Sequence, residues 1–198
     1  MATKITIKDI LAPGSNITKR FVPSHTELKR LVTDFKRNDY KIVLTQGVYD
    51  LVHQGHAAYL EAAKAHGDVL IVGVDSDELT RKRKGPGRPI VPEDERLKML
   101  VHLRHVDLVT LKGVKNDIGD LIRLVKPDVL IVSKSTTDFT DQMVKDYGPF
   151  CKKIISLPPQ ATTSTSARIR TLTIDGAEQL AGEISKLTQE FLNKIRRT

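Results

Sequence analysis

The sequence contains a single cysteine, Cys151, and no tryptophan, and aromatic residues make up only 5% of its 198 positions. One cysteine excludes an intramolecular disulfide framework and a zinc site built from cysteine pairs. No apolar run reaches the roughly 18 residues that a membrane-spanning helix needs. The N-terminus also lacks the apolar core of a secretory signal. We therefore expect a cytoplasmic protein in a reducing compartment.

Positive charge exceeds negative charge. The chain has 32 Lys and Arg residues against 24 Asp and Glu residues, which gives a formal net charge of +8 and a pI near 9.6. This balance favours anionic partners, and nucleotides, sugar phosphates and nucleic acids all qualify. The shortage of aromatic side chains and the lack of a recognised zinc-finger or RNA-binding motif count against nucleic acid.

Apolar runs and amphipathic segments alternate along the middle of the chain. The apolar runs predict strands at 41–45, 69–74, 106–111, 128–133 and 153–157. Helical spacing predicts helices at 27–37, 56–66, 93–104, 116–125 and 138–147. Such alternation is typical of an α/β fold, in which helices flank a doubly wound, Rossmann-like parallel sheet.

This pattern divides the chain into three regions. We expect an N-terminal extension with a lead-in helix at 1–40, the α/β domain at 41–170 and a helical extension at 171–198. In the last region, apolar residues repeat at helical spacing from Gly176 onwards. The C-terminal helix can cover the domain or pair with a second subunit, and covering is the favoured interpretation.

The most informative segment leads from an apolar strand at Leu44 through a glycine turn into a helix. His53 and His56 stand three residues apart at the predicted start of that helix, where backbone N–H groups and the helix dipole favour an anion. Gly47 and Gly55 let the backbone approach a ligand closely. Imidazoles in this position can donate hydrogen bonds to phosphate oxygens, more strongly when protonated. The segment predicts phosphate handling, and two structurally bonded imidazoles are the plainer alternative.

A second segment combines acidic and basic residues after the strand at 69–74. Asp75 follows at the carboxyl end of that strand, where open α/β sheets place ligands, and Asp77 fits a helix cap. The run 81–92 is rich in Lys, Arg, Gly and Pro, which predicts a basic loop. Its cations suit a triphosphate or an acceptor phosphate, and a solvated charge run is the alternative.

A third segment, residues 162–166, places hydroxyl side chains at the start of a late helix. Hydroxyls and backbone N–H groups there can bind phosphate oxygens or cap the helix. The chain contains neither Gly-x-x-x-x-Gly-Lys-Ser/Thr nor Gly-x-Gly-x-x-Gly. A phosphate site must therefore use another arrangement, and the histidine segment supplies one.

Together the three segments resemble the cytidylyltransferase-like branch of the nucleotidyltransferases, over about residues 41–170. The resemblance rests on Gly-Val-Tyr-Asp before His-Gln-Gly-His, on Lys-Gly before Arg-Pro-Ile-Val-Pro, and on the hydroxyl run. The second of these patterns is similar to the bacterial heptose-phosphate adenylyltransferase domain. The resemblance implies transfer of a nucleotidyl group from a nucleoside triphosphate to a phosphorylated small molecule, with release of pyrophosphate.

The segments and the resemblance together predict roles for individual residues. Catalytic roles fall to His53, His56 and Lys84. Nucleotide contacts fall to Gly47, Val48, Tyr49, Asp50, Gly55, Arg96, Ser164, Thr165 and Ser166. Acceptor contacts fall to Asp75, Arg88 and Lys134. Mg²⁺ is implied with the triphosphate, held largely by phosphates and water and without a dedicated protein metal site, and the resemblance makes a homodimer an expectation.

The identity of the substrates stays open at this point. ATP is favoured over CTP, because Pro158-Pro159-Gln160 stands where cytidylyltransferases have an arginine. A sugar phosphate is the first choice of acceptor. An FMN adenylyltransferase like the archaeal FAD synthetases and a glycerol-phosphate-type cytidylyltransferase are the alternatives. A nucleotide-binding regulatory module without turnover and a nucleic-acid-binding protein are the interpretations from other classes.

Overall fold

The computed structural model describes residues 4–134, 139–161 and 165–195, with side chains up to residue 189. These residues divide into two units, with the boundary after Thr162. The first unit contains α1 (Ile7–Leu11), α2 (Ile17–Arg20), α3 (His25–Arg37), β1 (Ile42–Gly47), α4 (Gln54–Lys64), β2 (Val69–Asp75), α5 (Asp77–Lys84), α6 (Glu93–His102), β3 (Leu108–Lys112), α7 (Ile118–Val125), β4 (Val129–Ser133), α8 (Asp141–Tyr147), a 3₁₀ turn (Gly148–Phe150) and β5 (Lys153–Leu157). The second contains α9 (Thr165–Ile195).

The sheet has the strand order β3-β2-β1-β4-β5, and each adjacent pair of strands is parallel. β1 lies in the middle and pairs with β2 from Ile42–Val69 to Gly47–Val74. β2 is buried along its whole length, as expected for a parallel strand with helices on both faces of its sheet. The predicted doubly wound, Rossmann-like α/β fold is confirmed.

Two apolar layers cover the faces of the sheet, and alternate residues of β1 point into each. Ile42 and Leu44 join the layer formed with α3 and α7, whereas Val43 joins the layer formed with α4 and α6. This alternation is the two-residue period of a strand, and it places helices on both sides of β1. The carboxyl ends of the strands therefore open along one edge between two helical layers.

The basic segment differs from its prediction. The predicted loop at 81–92 is wrong for residues 81–84, which form the last turn of α5. Ser76 caps this helix, with its Oγ accepting a hydrogen bond from the Leu79 backbone N–H at 3.1 Å, so Asp77 is not the cap. Positive side chains interact favourably with the negative end of the helix dipole, so the charge run suits a helix C-terminus.

The N-terminal segment, for which the sequence predicts no element before the lead-in helix, forms α1 and α2. The backbone N–H of Val22 donates to the Val109 carbonyl oxygen of β3 at 2.9 Å, and Phe21 forms a parallel bridge with Val109. Arg20 donates to the Val101 carbonyl oxygen at 2.7 Å. The extension therefore supplies partners to β3, which is an edge strand and would otherwise expose backbone groups.

α9 runs unbroken over 31 residues. It begins in the hydroxyl run, where the sequence predicts the start of a late helix, and it continues through Gly176, because a glycine lowers the stability of a helix by only about 1 kcal/mol and does not end it. Leu172, Leu180, Ile184 and Leu187 are exposed on this helix. In the part of the chain that the structure describes, no helix is both long enough and apolar enough to cross a membrane.

Candidate active site

The candidate active site lies at the carboxyl edge of the sheet, where β1 and β4 separate. Their register ends at the pair Leu44–Leu130. Beyond it, the hydroxyl oxygen of Tyr59 lies 2.9 Å from Thr45 Oγ1 and 3.5 Å from the Ile131 carbonyl oxygen, so a side chain of α4 bridges the two strands. The connections reverse direction across the sheet at this point, and open α/β sheets bind ligands in the crevice formed there.

A tight turn connects β1 to α4 at this crevice. Tyr49 and Leu51 have positive φ angles of 54° and 46°, a conformation that is uncommon for residues with side chains and is often found at ligand-binding sites. A Cβ atom on Gly47 would lie 3.2 Å from the Tyr49 ring, so the glycine leaves room for that ring. The ring of Tyr49 in turn lies edge-on to His56, with 5.6 Å between centroids. The turn thus sets the position of the second histidine.

The two histidines hold each other and the start of α4. His53 is the N-cap residue, and its Nδ1 atom accepts a hydrogen bond from the Gly55 backbone N–H at 3.0 Å. The backbone N–H of His53 lies 3.4 Å from Nδ1 of His56, and the two rings are 4.1 Å apart between centroids. A neutral imidazole that accepts at Nδ1 carries its proton on Nε2. The neutral form of each histidine therefore carries its proton on Nε2.

His56 is neutral at physiological pH. Burial, followed by electrostatic interaction with His53 and with Lys84, lowers its pKa to about 4, while Asp50 acts in the opposite direction. This electrostatic influence places Lys84, the last residue of α5, in the neighbourhood of the histidine pair. The structure thus brings together the three residues predicted to be catalytic.

Gly55 connects the histidine pair to the segment that precedes the hydroxyl run. A Cβ atom at this position would lie 2.9 Å from Cε1 of His53 and 3.1 Å from Cβ of Ala161, which is too close for either neighbour to stay in place. The end of the β5 connection therefore packs against the helix start. Ser164 lies outside the described residues, while Thr165 and Ser166 begin α9 in the second unit. Their predicted nucleotide contacts stay predictions.

Asp50 binds the far end of the basic loop. Its carboxylate is 2% exposed and accepts hydrogen bonds from the backbone N–H groups of Ile90, at 2.9 Å and 3.1 Å, and of Val91, at 2.9 Å. Nε of Arg88 forms an ion pair with the same carboxylate at 2.9 Å. Asp50 therefore links the turn after β1 to residues 88–91. Its described contacts are with protein groups, and nucleotide contact stays a prediction.

Arg96 is an interior side chain, 1% exposed. Its guanidinium donates to the carbonyl oxygens of Val48 at 2.5 Å, Asp75 at 2.9 Å and Val91 at 2.9 Å, and to Asp77 Oδ1 at 2.7 Å. One side chain thus joins the turn after β1, the end of β2 and the basic loop. Through these contacts, Arg96 holds the three segments together at the site. Its predicted contact with a phosphate stays a prediction.

Asp75 ends β2 in a charged cluster. Its side chain is 1% exposed, with Oδ1 at 3.2 Å from Lys112 Nζ and Oδ2 at 2.5 Å from Arg83 Nη1. Lys134 follows β4, where its backbone N–H donates to the Leu157 carbonyl oxygen at 2.9 Å. The contacts described for Asp75, Arg88 and Lys134 are with protein groups and do not test contact with an acceptor. The predicted acceptor contacts of these three residues stay predictions.

Sequence reasoning missed two side chains that shape this edge. Tyr59 falls in a stretch of helix formers, so nothing in the sequence marks it as the wedge between β1 and β4. The position of Lys112 did indicate a role, because it directly follows an apolar predicted strand. A charged residue at such a position is buried only when it has a partner of opposite charge or a hydrogen-bond partner. Over the residues with described side chains, no group of three or more His, Cys, Asp or Glu residues is arranged to hold a metal ion.

Comparison with known proteins decides the family. The family model described as cytidylyltransferase-like matches residues 44–173, a range that begins in β1 and ends in α9. The chain belongs to this family. The resemblance predicted from the three segments is confirmed, and the histidine pair lies inside the matched range.

Relatives within this cytidylyltransferase-like family include two proteins with the name bifunctional protein HldE. The one from Desulfatibacillum aliphaticivorans is 47% identical over 146 residues, which cover 72% of this chain and 29% of the relative. The one from Helicobacter pylori strain J99 is 44% identical over 109 residues, which cover 55% of this chain and 23% of the relative. The chain therefore spans less than a third of the length of either relative.

A solved structure supports the α/β fold. The lipopolysaccharide core biosynthesis protein from Thermoplasma volcanium superposes with a TM-score of 0.54 and 28% sequence identity. The match covers 61% of this chain and 98% of that protein. The match therefore spans nearly all of that protein but less than two thirds of this chain.

Proposed function

We propose that the protein is an adenylyltransferase, which transfers AMP from ATP to a sugar phosphate and releases pyrophosphate. The observation that carries the proposal is the histidine pair at the start of α4, in which each Nδ1 faces a backbone N–H and the two rings lie 4.1 Å apart between centroids. Membership of the cytidylyltransferase-like family and the two HldE relatives support it. The resemblance to the heptose-phosphate adenylyltransferase domain favours a heptose phosphate as acceptor.

The proposed reaction is a direct displacement at phosphorus. A phosphate oxygen of the acceptor attacks the α-phosphorus of ATP, a new P–O bond forms, and the bond to the β-phosphate oxygen breaks to release pyrophosphate. The acceptor oxygen is already anionic, so the step needs no general base. Enzymes speed such transfers mainly by positioning the groups and stabilising charge on the phosphoryl oxygens.

The residues at the carboxyl edge of the sheet have different roles in the proposed reaction. His53 and His56 donate from Nε2 to the α-phosphate and the leaving group, and Lys84 adds a positive charge beside them. The backbone of Gly47, Val48 and Tyr49 contacts the nucleotide, and so do Gly55 and the hydroxyl run with Ser164, Thr165 and Ser166. Arg88 and Lys134 contact the acceptor. Asp50 and Arg96 hold the turn and the loop in place through the bonds described above.

Mg²⁺ enters this proposal as part of the triphosphate substrate. Asp50 and Asp75 are the buried carboxylates nearest the basic loop, and both are occupied by protein donors, so they do not fit a protein-held ion. A magnesium ion bound to ATP keeps phosphate oxygens and water as ligands. ATP as donor, a homodimeric assembly and a cytoplasmic location belong to the same proposal.

The decisive experiment measures pyrophosphate release with Mg²⁺ while ATP and CTP are crossed against heptose, hexose and glycerol phosphates and FMN. The expected result is release with ATP and a sugar phosphate, abolished in His56→Ala. Release only with CTP and glycerol phosphate, or only with ATP and FMN, would replace the proposed substrates. If no pair releases pyrophosphate while ATP binds in calorimetry, the protein is a nucleotide-binding module. Salt-sensitive binding of nucleic acid without turnover would support the remaining alternative.

A further inference from the structure

Three charged side chains meet in the interior beside the candidate active site. Asp75 and Lys112 are register partners at the ends of β2 and β3, and they are 1% and 2% exposed. Lys112 Nζ lies 3.2 Å from Asp75 Oδ1, and Arg83 Nη1 lies 2.5 Å from Asp75 Oδ2. Each carboxylate oxygen therefore has its own cation. We call these three residues the anchor cluster.

The fold does not require this cluster. Two neighbouring strands buried between helical layers are normally filled by apolar side chains, and replacing a buried ion pair with apolar residues often leaves stability unchanged or raises it. Burial removes both charges of the pair from water, which is unfavourable for each of them. The cluster therefore calls for an explanation other than the stability of the sheet.

The third member shows where the cluster acts. Arg83 lies in the last turn of α5, and its side chain reaches back to the sheet while remaining 27% exposed. Lys84 is the next residue and ends the helix, and Gly85 follows with a φ of 94°, a left-handed conformation that stops the helix. A bond from Arg83 to the sheet therefore fixes the end of the helix at the residue before Lys84.

The far end of the same loop is fixed in a similar way. Asp50, at the end of the turn after β1, accepts backbone hydrogen bonds from Ile90 and Val91. Residues 84–89 thus run between two attachments, one made by Asp75 at the end of β2 and the other by Asp50 in the turn after β1. Two fixed ends leave a short loop few conformations, so its cations are held where a phosphate can meet them.

We propose that Asp75 and Lys112 form a buried anchor that, through Arg83, holds the end of α5 so that Lys84 meets the substrate phosphates. Arg83 is then a positioning residue, and the cluster acts on catalysis only through Lys84. The proposal rests on the adenylyltransferase function proposed above.

A double-mutant cycle tests the dependence on Lys84. Arg83→Met is expected to lower kcat about tenfold while Lys84 is present, and less than about twofold in the Lys84→Met background, because the anchor then has nothing to position. Asp75→Asn combined with Lys112→Met removes the anchor without changing the net charge, and it should lower kcat to the same extent as Arg83→Met. Lys82→Met, on the same helix, controls for the loss of one exposed positive charge. Equal losses from Arg83→Met in both backgrounds would overturn the proposal.

An NMR titration of the His56 ring gives a readout that needs no turnover. Lys84→Met removes a positive neighbour and should raise the pKa of His56. Arg83→Met should raise it as well, and the double variant no further than Lys84→Met alone. If Lys84→Met raises this pKa and Arg83→Met does not, or if neither does, the anchor is refuted. If the variants shift the pKa as expected while wild-type protein turns over no substrate pair, the anchor stands and the proposed adenylyltransferase function fails.

Discussion

The Nδ1 atom of His53 accepts a hydrogen bond from the backbone N–H of Gly55, at 3.0 Å. The histidine thereby caps the helix that begins at the next residue. A protonated ring would carry a second proton on Nδ1 and lose this bond, so the cap favours the neutral form with Nε2–H as the donor. The sequence suggested that the imidazoles bind phosphate best when protonated. The geometry favours neutral donors held in a fixed direction instead.

We predict that Gly55→Ala lowers turnover about a hundredfold, because a displacement near 1 Å in a reacting group has that effect. The new methyl group would press on Cε1 of His53, at 2.9 Å, and move the ring. Stability should change by less than about 2 kcal/mol, since alanine is the better helix former and offsets part of the crowding. Steady-state kinetics with thermal unfolding measure both effects.

Gly148→Ala is the matched control for this substitution. A Cβ atom at Gly148 meets nothing within 4 Å, so its turnover should equal that of the wild type. A Gly55→Ala protein that keeps full turnover would show that the His53 ring need not stay in its place.

The pH dependence of stability should reveal the buried state of His56. Its pKa in the folded protein is about 4, below the ordinary value of 6.5, so the unfolded chain takes up this proton first as the pH falls. The stabilising contribution is therefore complete above pH 6.5 and is lost between 6.5 and 4.

His56→Gln lacks this titration and serves as the reference in urea unfolding. Between about pH 7 and about pH 4.5, the wild type should lose roughly 2 kcal/mol more than the variant does. An identical pH dependence of the two proteins would mean that the His56 ring titrates as it does in water.

Asp50→Asn should loosen the basic loop. Asparagine can still accept at Oδ1 from Ile90 and Val91, but it lacks the Oδ2 acceptor and the negative charge, so the second bond from Ile90 and the ion pair with Arg88 are lost, at about 1–3 kcal/mol. We expect lower kcat/KM together with faster proteolysis between residues 84 and 91. Asp94→Asn, at an exposed ion pair with Lys98, should change neither property. Unchanged proteolysis of Asp50→Asn would contradict the role assigned to this carboxylate.

Arg96→Met should lower the free energy of unfolding by about 3–5 kcal/mol, because it leaves Asp77 and three carbonyl oxygens without their buried cation. Urea unfolding measures this loss, and calorimetry with ATP measures affinity in the same variant. A variant as stable as the wild type but with weakened ATP binding would instead support the direct phosphate contact implied by family resemblance.

The fold was predictable because its signals are local. Apolar runs with the strand period and amphipathic segments with the helix period repeat in the order of a parallel sheet. β1 begins at Ile42 and β2 at Val69, against predicted starts at 41 and 69. The histidine segment was equally visible, because its residues are neighbours along the chain.

The roles of the charged residues were less predictable, because their partners are distant in sequence. Asp75 and Lys112 meet only through strand pairing, and Arg96 binds carbonyl groups of three separate segments. From the sequence, Asp75 and Arg96 looked like ligand contacts, and Lys112 was not singled out. Only the packing of the sheet edge shows that they bind protein groups.

The C-terminal turn of α5 escaped prediction for a different reason. Its mean composition is strongly polar, and a run of four basic residues before Gly85 is as typical of a loop as of a helix end. Ser76 supplied the helix-start signal, but the neighbouring Asp75 and Asp77 carried similar ones.

The central claim is that the histidine pair catalyses the transfer of AMP from ATP to the acceptor. The variant His53→Asn tests this claim most directly. Asparagine is a good N-cap residue, so this variant keeps the helix start but loses the Nε2 donor. We would supply ATP labelled at the α-phosphorus together with a heptose phosphate and follow the label. The account predicts that wild-type protein moves the label into a sugar nucleotide, and that His53→Asn does so about a hundred- to a thousandfold more slowly with unchanged thermal stability. Transfer of the label at the wild-type rate by His53→Asn would contradict it.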